Sequence, residues 1–161
     1  MPKRELKSGK QVAEWIIDLS QCLEQPGTMI LIGSAALLWH THHRGIKAEL
    51  PEGSMDVDPI TDSDEIARRC YDCLIGSEFE KQHGWHVNLM PDSVLNELPA
   101  GWKQRAEIQR HGNLTLFVPQ PADLLVPKLR RKEPRDLKHY EWAKVIGLIA
   151  GEIKVEPKAN P

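Results

Sequence analysis

One stretch, TMILIGSAALLWHTHHRGIKAELPEGSMDVDPIT at residues 28–61, constrains this chain more than any other. Its apolar run Met29-Ile30-Leu31-Ile32 is bounded by glycine and reads as a buried strand. Gly33-Ser34 passes directly into Ala35-Ala36-Leu37-Leu38-Trp39, a helix expected to reach His43, with Gly45 to end it. A strand that turns tightly through glycine into a helix offers backbone N–H groups, the Ser34 hydroxyl and a positive dipole end to an anion. Further on, Asp56 and Asp58 flank Val57 on a second short strand, Met55–Ile60. Carboxylates at i and i+2 on a strand point the same way and can hold one hard cation between them. Magnesium or manganese held there at about 2.1 Å would bridge phosphate oxygens and relieve the repulsion between the two acids. A phosphate seat beside a divalent-metal seat makes up a metal-assisted phosphoryl-transfer site.

Each part also has an ordinary meaning. Asp58-Pro59 can simply start a turn, and Gly33-Ser34 can be a small-residue corner that lets helix and strand pack closely. The two features carry weight through their order along the chain.

The remaining pattern supports one mixed domain over residues 1–153, with a Lys/Pro-rich tail at 154–161 and a polar, frayed start over residues 1–10. Val12, Trp15, Ile16, Leu19 and Leu23 recur at helical spacing from Lys10 to Glu24, and Pro26-Gly27 stops that helix. Residues 61–65, rich in capping side chains, open a helix expected to run to Ile75. His86–Met90 alternates as a strand, and 92–105 reads as short helical turns around Pro99 and Gly101. Ala106–Ile108 and Leu114–Val118 flank the polar turn Arg110-His111-Gly112-Asn113 as a hairpin. Ala122–Arg131 forms a helix with an awkward internal Pro127, and a last helix runs from beyond Pro134 to Ile149. Strands with helices packed beside them place the chain in the α+β (α/β-like) class, a small mixed β-sheet flanked by helices.

Composition removes several functions. A net charge of −2 gives no global reason to wrap DNA or adsorb to a membrane. No apolar run approaches the roughly 18 residues a span needs, so the expectation is a soluble, cytoplasmic protein. Cys22, Cys70 and Cys73 form an odd set suited to free thiols in a reducing compartment; Cys70-Tyr-Asp-Cys73 has C-x-x-C spacing but no second pair. Residues 128–138, KLRRKEPRDLK, concentrate positive charge. There Lys128, Arg130, Arg131 and Arg135 can clamp phosphate, or can be a solvated basic face. His40 and His43 share a helix face and could hold zinc, although an exposed helix end is the commoner fate of such a cluster. Trp85, Trp102 or Trp142 could stack on a base.

Taken together, these residues resemble the nucleotidyltransferase (DNA polymerase β-like) superfamily, and within it the AbiE-type toxin relatives. The shared features are Ile30-Leu-Ile-Gly33-Ser34-Ala-Ala-Leu, then Arg44, then Ser54-Met-Asp56-Val-Asp58. Later come Pro121-Ala-Asp123-Leu-Leu-Val-Pro-Lys128-Leu129 and Arg135-Asp136-Leu137. The resemblance implies a nucleotidyltransferase fold and transfer of a nucleotidyl group from an NTP to a hydroxyl of RNA or protein. It also implies Mg2+ (or Mn2+) on Asp56 and Asp58, catalysis by those two with Lys128, and nucleotide contacts from Gly33, Ser34, Arg44, Lys128 and Arg135. A toxin–antitoxin role with an antitoxin protein as partner follows from the same likeness. Two departures stand out. The segment between Arg44 and Ser54 is longer than the usual junction. Asn88 stands on the strand where a third carboxylate is expected, and an amide cannot take a proton at neutral pH. Either Asp92, Asp136 or another acid substitutes, or the chain is a catalytically inactive binding module on the same fold.

Overall fold

The computed structural model describes residues 5–155. At its centre is β1, Gly27–Ile32, paired antiparallel to β2, Asp56–Thr61, and parallel to β5, Leu114–Val118. The edges are β3, His86–Val87, parallel to β2, and β4, Glu107–His111, antiparallel to β5. The strand order is β3-β2-β1-β5-β4, a five-stranded mixed sheet flanked by helices, as expected for a nucleotidyltransferase-like α+β fold.

The two faces of this sheet differ because side chains alternate along each strand. Met29, Leu31, Val57, Val87, Leu114 and Leu116 share one face and are fully buried. That face belongs to the main apolar core with α1, Gly9–Cys22, and α2, Gly33–His43. Helix α1 buries one stripe, Val12, Trp15, Ile16 and Leu19, whereas α2 is buried from Ser34 through Thr41. The helices cross so closely that a Cβ on Gly9 would sit 2.2 Å from the Leu38 carbonyl oxygen, so only glycine fits there. The other face carries Ile32, Asp56 and Asp58. Across a cleft from it lie a 3-10 helix, Asp92–Glu97, and α6, Pro121–Arg131. Helix α5, Trp102–Arg105, is tied to α6 by a two-pronged pair from Arg105 to the Asp123 carboxylate at 2.8 and 3.0 Å. Helix α7, Pro134–Val145, follows α6 and supplies residues to the same cleft.

Several boundaries differ from the sequence expectations. Residues 5–8 are ordered into the fold rather than frayed: Leu6 is fully buried and exchanges two backbone hydrogen bonds with Ser54, at 2.8 and 3.0 Å. Residues 1–4 and most of the expected tail, 156–161, lie outside the described residues. The helix expected to reach Ile75 is α3, Asp64–Tyr71, capped by the Ser63 hydroxyl. A new start capped by Ser77 then opens α4, Glu78–His83. Strand β3 holds two ladder residues rather than five. The Pro59 carbonyl accepts from the Met90 N–H at 2.9 Å, but proline has no N–H to return. The hairpin strand β4 extends to His111, so Gly112-Asn113 alone makes the turn, with Gly112 at φ 57. Helix α7 ends at Val145, before the left-handed Gly147, not at Ile149. Among the described residues, no helix is long and apolar enough to cross a membrane.

Candidate functional site

The junction of β1 and α2 builds the site. Ile32 lies opposite Asp58 across the antiparallel pair, and Gly33 follows at φ +75, the left-handed region that favours glycine. A Cβ at that position would lie 2.9 Å from Asp58 Oδ2. The missing side chain is therefore what lets the carboxylate sit against the corner. No side chain caps the first turn of α2, so its N–H groups remain available at the mouth of the cleft.

That cleft encloses about 340 Å3. Gly33, Ser34, Asp56 and Asp58 line one side, and Met90, Val94, Leu98 and Leu124 give an apolar wall. Lys128, Arg131 and Arg135 form a basic wall. Burial, then the neighbouring Asp56 charge, pushes the Asp58 carboxyl up to about 7, against the opposing pull of Asn88, whose Nδ2 donates to Asp58 Oδ1 at 3.4 Å. Asp56 Oδ1 accepts from the Ser54 hydroxyl at 3.1 Å. Two hard oxygen donors that repel each other are a donor set a divalent cation satisfies, so the residues fit Mg2+ or Mn2+. Among the described residues no group of three or more His, Cys, Asp or Glu converges, so a cation here would complete its shell with water and substrate oxygens. Magnesium commonly binds in that way.

Lys128 is 5 % exposed, and each of its ammonium hydrogens has a partner. Nζ lies 3.0 Å from Ser34 Oγ, 3.2 Å from His139 Nδ1 and 3.4 Å from Asp136 Oδ1. Burial lowers the Lys128 pKa below the lysine range despite the Asp136 charge. His139 donates from Nε2 to the Pro51 carbonyl at 3.0 Å, so the ring is neutral and its Nδ1 accepts from Lys128. Burial and the Lys128 charge push the His139 pKa down to about 4. Burial works against ionised Asp136, but hydrogen bonds from Arg131 at 3.1 and 3.2 Å, with Lys128, hold its carboxyl below the usual value. Lys128 is thus a buried charge that orients Ser34. Arg135 lines the cleft without an ion pair among the described residues and is the cation free to meet a ligand.

Six of the seven residues expected at the site, Gly33, Ser34, Asp56, Asp58, Lys128 and Arg135, meet around this cleft. Arg44 does not. Its guanidinium donates to the Leu148 carbonyl at 3.1 Å and the Gln120 side chain at 3.4 Å, away from the cleft lining. Of the acids considered as a third carboxylate, Asp92 is exposed and outside the lining, and Asp136 is occupied by Lys128 and Arg131. The zinc reading of His40 and His43 fails on geometry. His40 Nε2 is spent on the Pro119 carbonyl at 2.7 Å, burial pushes the ring down to about 4, and His43 stacks on Trp39. None of Trp85, Trp102 and Trp142 lines the cleft. Cys70 is buried with its thiol pushed up to about 12, an unreactive core sulfur. Sequence reasoning missed His139 entirely. Only its three-residue spacing from Asp136 on α7 hinted that both face α6.

With this geometry established, comparison with known proteins gives a family. Residues 9–153 match the family described as Nucleotidyltransferase of unknown function (DUF6036), and the chain belongs to it. No curated protein and no solved structure gives a significant match.

Proposed function

We propose that this protein binds an NTP with Mg2+ or Mn2+ and transfers its nucleotidyl group to a hydroxyl of an RNA or protein acceptor. The observation that carries this reading is the convergence of the uncapped α2 N-terminus, the Asp56/Asp58 pair and the Lys128–Arg131–Arg135 wall on one cleft. Asp56 and Asp58 hold the cation, which when bound supplies positive charge to the phosphate oxygens. The α2 N–H groups and the Ser34 hydroxyl, fixed by Lys128, orient the triphosphate. Arg135 and the Lys128 charge offset negative charge growing on departing pyrophosphate.

Calorimetry with Mg2+ and each NTP tests the binding. Wild type should bind one nucleotide and Asp56→Ala none; equal binding by the two would end the proposal. The AbiE-type likeness extends the reading to a toxin whose partner is an antitoxin protein. Growth arrest on expression, relieved by co-expressing an adjacent gene, is the expected result; unimpaired growth would exclude that role.

A second reading rests on Asn88, which occupies the strand position beside Asp58 and carries no acid. On that reading the chain is an inactive nucleotide-binding module. It predicts nucleotide binding without labelling of RNA or protein, whereas labelling abolished by Asp58→Ala would remove it.

A further inference from the structure

Strand β4 closes one side of the sheet, last in the order β3-β2-β1-β5-β4. The Gly27 N–H donates to the Asn113 carbonyl at 2.9 Å, so the backbone groups of Asn113, Thr115 and Phe117 turn toward β1. Those of Leu114, Leu116 and Val118 therefore turn toward β4, where the register sets them opposite His111, Gln109 and Glu107. This leaves the N–H and C=O of Ile108 and Arg110 pointing outward. Among the described residues no hydrogen bond reaches them, and the Ile108 side chain is 51 % exposed. Natural sheet edges are commonly blunted by a proline or a bulge, and β4 has neither.

The sequence of this edge is complementary to itself. Antiparallel pairing must bring outward groups to outward groups, which leaves few registers. Setting Ile108 opposite Ile108 of a second copy also sets Ala106 opposite Arg110, but the Ala106 N–H is spent on the Lys103 carbonyl at 3.4 Å. Setting Arg110 opposite Arg110 brings like charges together. The register centred on Gln109 has neither fault. There Ile108 exchanges both backbone hydrogen bonds with Arg110 of the other copy, the reverse pair does the same, and each arginine stem covers an isoleucine. On the opposite face Glu107 meets His111 of the other copy, a carboxylate against an imidazole that has an N–H to give. Glu107 Oε1 lies 3.5 Å from Gln120 Nε2, and Oε2 is left for that pair.

We propose that this protein self-associates through β4, two copies pairing antiparallel about Gln109 into one continuous sheet. No residue of β4 lines the cleft, so both clefts stay open in the pair. A short edge buries less than the roughly 1,200 Å2 of a standard interface, so the dimer is weak and depends on concentration.

Sedimentation velocity of the full chain from about 1 to about 500 µM reads the association, and amide hydrogen exchange by NMR over the same range reads the contact. The expected result is monomer at the low end and dimer at the high end. On association the Ile108 and Arg110 amides should slow at least about fivefold, whereas Gln109 should be protected throughout. Glu107→Lys and His111→Glu should each weaken association about fivefold or more, and the two together should recover it to within about threefold of wild type. Thermal unfolding at low concentration checks that the variants fold; if one does not, exchange in the wild type decides alone. A chain that stays monomeric at the high end overturns the proposal. So does a dimer whose Ile108 and Arg110 amides exchange as in the monomer. Single variants that associate like wild type, or a charge swap that restores nothing, overturn it too.

Discussion

Replacing Gly33 by alanine tests the corner on which the site depends. Two costs follow from the structure. A non-glycine residue at φ +75 costs about 1–2 kcal/mol. The new Cβ would also stand 2.9 Å from Asp58 Oδ2, so the carboxylate must rotate away and loosen its 3.4 Å bond from Asn88. That bond contributes roughly 0.5–1 kcal/mol. The sum, about 1.5–3 kcal/mol, corresponds to a fall in Tm of roughly 3–12 °C for a chain of this size. Urea unfolding of four proteins separates the parts: wild type, Gly33→Ala, Asp58→Ala and the double variant. In the Asp58→Ala background only the backbone cost of about 1–2 kcal/mol should remain, leaving a coupling energy of up to about 1 kcal/mol. Magnesium affinity, read by calorimetry, should fall at least tenfold in Gly33→Ala because one of its two carboxylates has moved. Equal penalties in both backgrounds would refute the argument, since the glycine would then serve the backbone alone.

Further expectations concern charge. His40 and His139 stay neutral in the folded protein down to about pH 4 but titrate near 6.5 when unfolded, so the unfolded chain takes up protons first. Acidification from pH 6.5 to 5 therefore removes about 1.4 kcal/mol per pH unit for each histidine. Asp58 acts in the opposite sense, because its folded-state value of about 7 lies above the unfolded 3.8. Its uptake of a proton stabilises the fold as pH falls through the same window, leaving a net loss of about 1.4 kcal/mol per unit, and Asp58→Asn should steepen it to about 2.7. Urea titrations at pH 6.5, 5.75 and 5 measure this, and a flat profile contradicts it. Lys128→Met should destabilise by about 1–2 kcal/mol, less than the 3–5 of a fully orphaned buried charge, because Arg131 still holds Asp136. Denaturation in urea reads it, and a loss above 3 would show that Arg131 cannot hold Asp136 alone. Arg135→Ala should leave stability within about 0.5 kcal/mol and weaken nucleotide binding about tenfold; unchanged affinity would show that this arginine does not meet the phosphates.

Much of the fold was legible in the chain because its signals are local. The apolar run before Gly33 reads as a short buried strand, and the helical spacing from Val12 to Leu19 as a single buried stripe, and both form as read. The same holds for Gly33, Ser34, Asp56 and Asp58, whose chemistry and alternation speak within a few residues. Element ends were less legible. Stopping α3 at Tyr71 and breaking the β3 ladder beside Pro59 depend on which neighbours arrive, and no single window of sequence contains them.

Long-range partners were decided only when the chain closed. Lys128 looked like a free phosphate ligand, yet packing α6 and α7 against the start of α2 surrounds it with Ser34, Asp136 and His139. Arg44, close in sequence to the corner, turns away to Leu148, whereas His86, remote in sequence, arrives beside Asp56. Periodicity and turn chemistry are written residue by residue, so strand, corner and paired acids follow from the sequence itself. Which charge is buried and which stays free are set by register and burial, and those exist only in the assembled fold.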